Sequence, residues 1–122
     1  MAWKNLQSIA GAVRSGEFYT AEAVIPASAA VIKVQVDLGA TPIPGTSGAT
    51  YSQYSTDNGQ TWEDFTPYFW EYTGLPGKFG DIVQPSIVYG IPNEFKQARV
   101  RLRTVLDQPD IDVGHTILWD NK

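Results

Sequence analysis

Ser55-Thr56-Asp57-Asn58-Gly59-Gln60-Thr61-Trp62 is the stretch whose reading decides the fold. Asn58-Gly59 is the strongest hairpin signal in the chain, because both residues tolerate the positive φ that a type I′ turn needs at its two central positions. Ser55 and Asp57 carry short side chains that bond nearby backbone N–H groups and hold such a turn. Trp62 supplies a large apolar ring to fold beneath it. Residues 49–55 and 61–65 are then the arms of a clasped hairpin.

Strand signals continue on both sides. In 31–38, Ile32, Val34, Val36 and Leu38 alternate with Lys33, Gln35 and Asp37, the pattern of a half-buried strand. In 98–106, Val100, Leu102 and Thr104 oppose Arg99, Arg101 and Arg103. Ile111, Val113, His115, Ile117 and Trp119 share one face of a last strand. Residues 17–25 have strand-like content, and 82–89 read as one strand that Pro85 confines to an edge. Residues 39–48 and 75–80, rich in Gly and Pro, read as loops. Residues 67–74 hold the densest aromatic run. Seven or eight short strands without a convincing helix predict an all-β fold, a single antiparallel β-sandwich of jelly-roll or Ig-like type. Residues 17–122 form that domain. Residues 1–16 read as an N-terminal arm or edge segment, in which Trp3 needs cover.

The motif Ser-x-Asp-x-Gly-x-Thr-Trp at 55–62 resembles the Asp-box, found in sialidases, some microbial ribonucleases, sugar-binding domains and many viral structural proteins. That resemblance implies a structural clasp formed by Ser55, Asp57, Asn58, Gly59, Thr61 and Trp62, away from any catalytic centre. Sialidase-type propellers carry one box per blade and need a far longer chain. A single box in 122 residues argues against that architecture.

Composition narrows the function. A hydrophobic share of 43% and a charged share of 18% suit one globular domain. A net charge of -4 opposes a nucleic-acid partner, which wants a positive field. The absence of cysteine excludes disulfides, thiolate metal sites and cysteine nucleophiles. No run has signal-peptide or membrane-span length, so the expectation is a chain made in the cytosol with no membrane partner.

Candidate site residues are few. Ser55 and Asp57 serve turn chemistry. Asp107, Asp110 and Asp112 offer oxygen ligands for calcium, although their spacing matches no standard loop. His115, the sole histidine, lines up with apolar neighbours and reads as a satisfied core imidazole. Glu63 and Asp64 are adjacent and so point to opposite strand faces, a poor start for a carboxylate pair. Arg99, Arg101 and Arg103 form a positive row, either solvated with acidic neighbours or a docking strip. Tyr68, Phe69, Trp70 and Tyr72, with Phe79, divide between core, protein interface and sugar platform. No acid–base set is assembled, so the chain is expected not to be an enzyme, and it calls for no cofactor.

In style, across most of its length, the chain also resembles tailed-phage virion structural proteins. A soluble start, a sandwich, one Asp-box hairpin and an Ala-Arg-Val-Arg-Leu-Arg strand at 98–103 carry that likeness. It implies a bacteriophage capsid decoration or head-tail accessory subunit, assembled in the host cytoplasm into the virion. Its partners would be other virion proteins or copies of itself, in an oligomeric assembly gripped through Trp3, the 68–72 aromatics and the arginine row. The alternative is a carbohydrate-binding module with a glycan partner on the aromatics of 65–72. A small hydrolase is a third, weaker reading.

Overall fold

A computed structural model describes residues 3–38, 45–65, 67–72, 82–83, 86–107 and 111–121. Two antiparallel sheets face each other, giving the expected β-sandwich. The first has the order β1 (Lys4–Arg14), β11 (Ile111–Asp120), β4 (Val31–Leu38), β9 (Ser86–Gly90). The second is built on β10 (Arg99–Leu106) and β5 (Ser47–Ser55). Beyond β5 lie β7 (Tyr68–Tyr72) and β8 (Ile82–Val83). β2 (Glu17–Tyr19) and β3 (Ala23–Val24) pair with β10, and β6 (Glu63–Asp64) pairs with β5. Among the described residues the only helical element is a 3₁₀ turn at Asn93–Phe95, and none is long and apolar enough to cross a membrane.

Alternation places the core. Ile32, Val34 and Val36 of β4 and Val113 and Ile117 of β11 point inward from one sheet. Val100, Leu102, Tyr54 and Trp70 meet them from the other. Tyr54 stacks on Phe95 at 4.5 Å between ring centroids, and Phe65 bridges edge-on to both Tyr54 and Tyr89.

The 67–74 run is a strand over Tyr68–Tyr72, so period two sorts its aromatics. Tyr68 and Trp70 are buried, while Phe69 and Glu71 face out. Residues 82–89 are not one strand. β8 joins the second sheet and β9 (Ser86–Gly90) the first, so the chain belongs to one layer at Val83 and to the other at Ser86. β5 starts at Ser47, inside the stretch read as a loop, because Ser47 and Gly48 pair with Glu71 and Trp70. Residues 1–16, read as an arm or edge segment, contain β1, which pairs along β11 at the edge of the first sheet.

A polar chain crosses the core between the sheets. The His115 side chain is only 1% exposed. Its Nδ1 lies 3.1 Å from the Gln35 carbonyl, an acceptor only, so Nδ1 carries the proton and Nε2 accepts. The Thr104 hydroxyl therefore donates to Nε2 at 2.8 Å. The Thr50 hydroxyl donates to Thr104 at 3.0 Å, and the Trp70 indole N–H donates to Thr50 at 3.0 Å. Every link has one donor and one acceptor, which is what makes a buried polar chain tolerable. Burial drives the His115 pKa down to about 4, against weaker opposing pulls from the Gln35 carbonyl and Asp37.

Gly114 marks a close crossing. β1 bulges between Ile9 and Ala12 and passes directly over it. A Cβ on Gly114 would sit 2.5 Å from the Ile9 carbonyl oxygen and 2.9 Å from the Gly11 nitrogen. Those are backbone atoms and cannot swing aside, so glycine is needed here. Gly114→Ala should lose about 1–3 kcal/mol, the usual range for overpacking. The measurement is the urea midpoint together with amide exchange along β1, and an unchanged midpoint would refute the crossing.

Candidate functional site

The Asp-box stretch forms an eight-residue connection, wider than a two-residue hairpin. Pairing of β5 with β6 closes at Tyr54 and Glu63. Asn58 and Gly59 both adopt positive φ, at 63° and 88°. The Ser55 hydroxyl donates to Asp57 Oδ1 at 2.8 Å and accepts from the Gly59 N–H at 2.8 Å. Asp57 accepts from the Thr61 N–H at 2.9 Å and from the Thr61 hydroxyl. These bonds, the Thr61 hydroxyl first, hold the Asp57 pKa down at about 2. The Trp62 indole N–H donates to the Gly59 carbonyl at 3.1 Å, which fixes the ring against the turn.

That ring does not enter the core. It lies over the outer face of the second sheet, 4.2 Å from the Arg101 guanidinium carbon. Tyr19, 42% exposed, lies over the same guanidinium at 4.3 Å. Arg101 Nε donates to Gln53 Oε1 at 2.8 Å, and Gln53 Nε2 in turn donates to Asp64 at 2.7 Å. On either side, Arg99 pairs with Glu22 at 2.9 Å and Arg103 with Glu17 at 2.8 Å. Arg103 also lies over the Tyr51 ring at 4.7 Å. The arginine row is thus largely occupied within its own sheet. Ion pairs this exposed contribute little to stability.

Further along the same face is a concavity of about 330 Å³, lined by Ser47, Gly48, Phe69, Trp70, Glu71 and Asp107. Register explains the cluster. Ser47 lies opposite Glu71, Ala49 opposite Phe69, and Asp107 follows the last residue of β10. Phe69 is 65% exposed, the most open aromatic ring among the described residues. Trp70 lies beneath Gly48, where a Cβ would come within 2.5 Å of the indole. The Ser47 hydroxyl donates to the Asp107 carboxylate, and the exposed Glu71 supplies a second carboxylate.

The sequence candidates therefore separate. Phe69 lines the concavity, Trp70 and Tyr68 are buried, and Tyr72 is half-buried at the end of β7. Phe79 and Asp110 lie outside the described residues. Asp107 joins Ser47, while Asp112 sits on β11 beside Gly11. Among the described residues no group of three His, Cys, Asp or Glu side chains is placed to hold a metal ion. Trp3 is half-buried, with the Lys33 ammonium 5.8 Å from its ring. Sequence reasoning missed Ser47 and Glu71. Their partners arrive through strand register, for which local sequence holds no signal.

No family model matches the chain, and no curated protein matches it. Among solved structures, one match is TmCBM61 in complex with beta-1,4-galactotriose, at 14% identity and a TM-score of 0.39. The match covers 90% of this chain and 69% of that one. The virion decoration or head-tail role expected from the sequence is corrected here. The structural match is a carbohydrate-binding module, not a virion subunit. In addition, the surfaces meant to grip neighbouring subunits are largely used at home: Tyr68 and Trp70 are core, and Arg99 and Arg103 are ion-paired.

Proposed function

We propose that this chain is a non-catalytic carbohydrate-binding domain that receives a neutral sugar in the concavity at Phe69. The observation that carries the proposal is an open aromatic ring standing among Ser47, Glu71 and Asp107 in one recess of about 330 Å³. A pyranose has an apolar C–H face and a rim of hydroxyls. Phe69 offers the apolar face a flat partner. Glu71 and Asp107 accept hydroxyl hydrogens, and O–H to carboxylate bonds are among the stronger neutral-donor contacts. The recess lies at the small end of the range for ligand pockets, suited to one ring of a longer glycan. On this reading the two carboxylates accept hydroxyl protons and do no acid–base work.

Trp70 lies beneath the recess, so its emission should shift when sugar binds. Titration with neutral oligosaccharides, galactose- and glucose-based, is expected to saturate. Phe69→Ala should weaken that binding about ten- to hundredfold, the loss of one anchoring aromatic. Phe69 is exposed, so the variant keeps its urea midpoint. Equal binding by wild type and variant, or no response to any neutral glycan, overturns the proposal.

A further inference from the structure

Arg101 is held as no other cation of this face is. Two rings flank its guanidinium at 4.2 and 4.3 Å. Gln53 takes its Nε, and Asp64 fixes Gln53. Among the described residues no carboxylate pairs with Arg101, whereas Arg99 has one such partner and Arg103 two. With its Nε bonded sideways to Gln53 on the neighbouring strand, the guanidinium keeps its two Nη groups as a planar fork. That fork matches a carboxylate in two-point fashion. Holding it flat between rings removes rotamer freedom before any ligand arrives.

We infer that Arg101, walled by Tyr19 and Trp62, is a second subsite that binds the carboxylate of an acidic sugar. This rests on the glycan reading of the Phe69 recess and deepens it. Arg101 and Val105 lie on the same strand and the same face, four residues apart, or roughly 13 Å of strand. Val105 pairs with Ala49, which pairs with Phe69. One glycan laid along β10 and β5 would place a neutral unit at the recess and a uronic acid unit at the fork. The neighbouring arginines are already neutralised, so the discrimination falls on Arg101. The Asp-box clasp acquires a purpose here, because it sets the Trp62 wall of the slot.

The test is calorimetry on the intact chain with three ligands: a neutral oligogalactoside ending in one galacturonic acid unit, the methyl ester of that same oligosaccharide, and acetate. The ester keeps the shape and removes the charge. Wild type should bind the acid about ten- to hundredfold tighter than the ester. Arg101→Lys keeps a positive charge but loses the fork, and should bring the acid down to the affinity of the ester. Equal affinity of wild type for acid and ester overturns the inference without using any variant. Undiminished acid binding by Arg101→Lys overturns it too. Acetate binding as tightly as the acidic oligosaccharide would also refute it, by leaving the sugar no role. The two proposals fail separately. Ester binding lost in Phe69→Ala, with no preference for acid, sinks only the Arg101 subsite. Arg101-dependent acid binding that is indifferent to Phe69→Ala sinks only the recess.

Discussion

Trp70→Ala should unfold at a much lower urea concentration than wild type, with a loss of about 3–5 kcal/mol, the range for emptying a buried large aromatic site. The ring is 1% exposed and fills the space that Gly48 leaves open. Its removal also deprives the Thr50 hydroxyl of the N–H it accepts. Trp70→Phe separates these effects. It keeps most of the apolar surface and drops only the N–H donor, so about 1 kcal/mol should go. A second comparison tests the contact itself. Gly48→Ala should be costly in wild type, because the new Cβ would collide with the indole, yet nearly free in the Trp70→Ala background. Such non-additivity marks residues in contact. Additive losses in the double variant would show that Gly48 and Trp70 do not share that space.

Acid should weaken the fold earlier than carboxylate chemistry alone allows. His115 has a folded pKa of about 4, below its ordinary value of 6.5, chiefly because of burial. Between those values the unfolded chain takes up a proton that the folded chain refuses. Stability is therefore complete above pH 6.5 and falls as pH drops from 6.5 towards 4. The whole step is worth on the order of 3 kcal/mol. Asp57 acts in a separate, lower window. Its folded pKa of about 2 lies below the ordinary carboxylate range, so its contribution is present above that range and disappears as pH falls towards 2. His115 is the only histidine, so a slope in the urea midpoint between pH 6.5 and 5 can be traced to one ring. The imidazole carbon-bound protons in NMR should not titrate between pH 8 and 5. A titration midpoint near 6.5 would mean that the ring is hydrated and that the hydroxyl chain does not exist as drawn.

The architecture was legible where one face is apolar and the other polar. Residues 31–38 and 98–106 alternate without a break, and both became central strands with the expected faces inward. The aromatic run was harder. Tyr68 and Trp70 go in and Phe69 goes out, but all three carry the same apolar signal, so composition hides a period that Glu71 alone reveals. At 82–89 two short apolar runs, Ile82-Val83 and Ile87-Val88-Tyr89, are split by Gln84-Pro85-Ser86; a single strand with Pro85 at an edge fits that spacing as well as the two strands in different layers that occur. The site was less legible still. Phe69 and Asp107 stood among the candidates. Ser47 and Glu71 did not, since the recess depends on which strands are neighbours. The arginine row was visible as charge. That Arg101 differs from Arg99 and Arg103 depends on Tyr19 from near the start of the chain and on Gln53 and Trp62 from the Asp-box hairpin, all distant from it in sequence.

The placement of β11 has a consequence for biosynthesis. It joins β1 on one side and β4 on the other, so Lys4 waits for Trp119 and Ile32 waits for it too. Until the ribosome has passed residue 120, that layer has a gap in its middle and two bare ladders of N–H and C=O groups. Nascent chains stalled before residue 111 present sticky ribbons to one another, and they are the form most in need of chaperone cover.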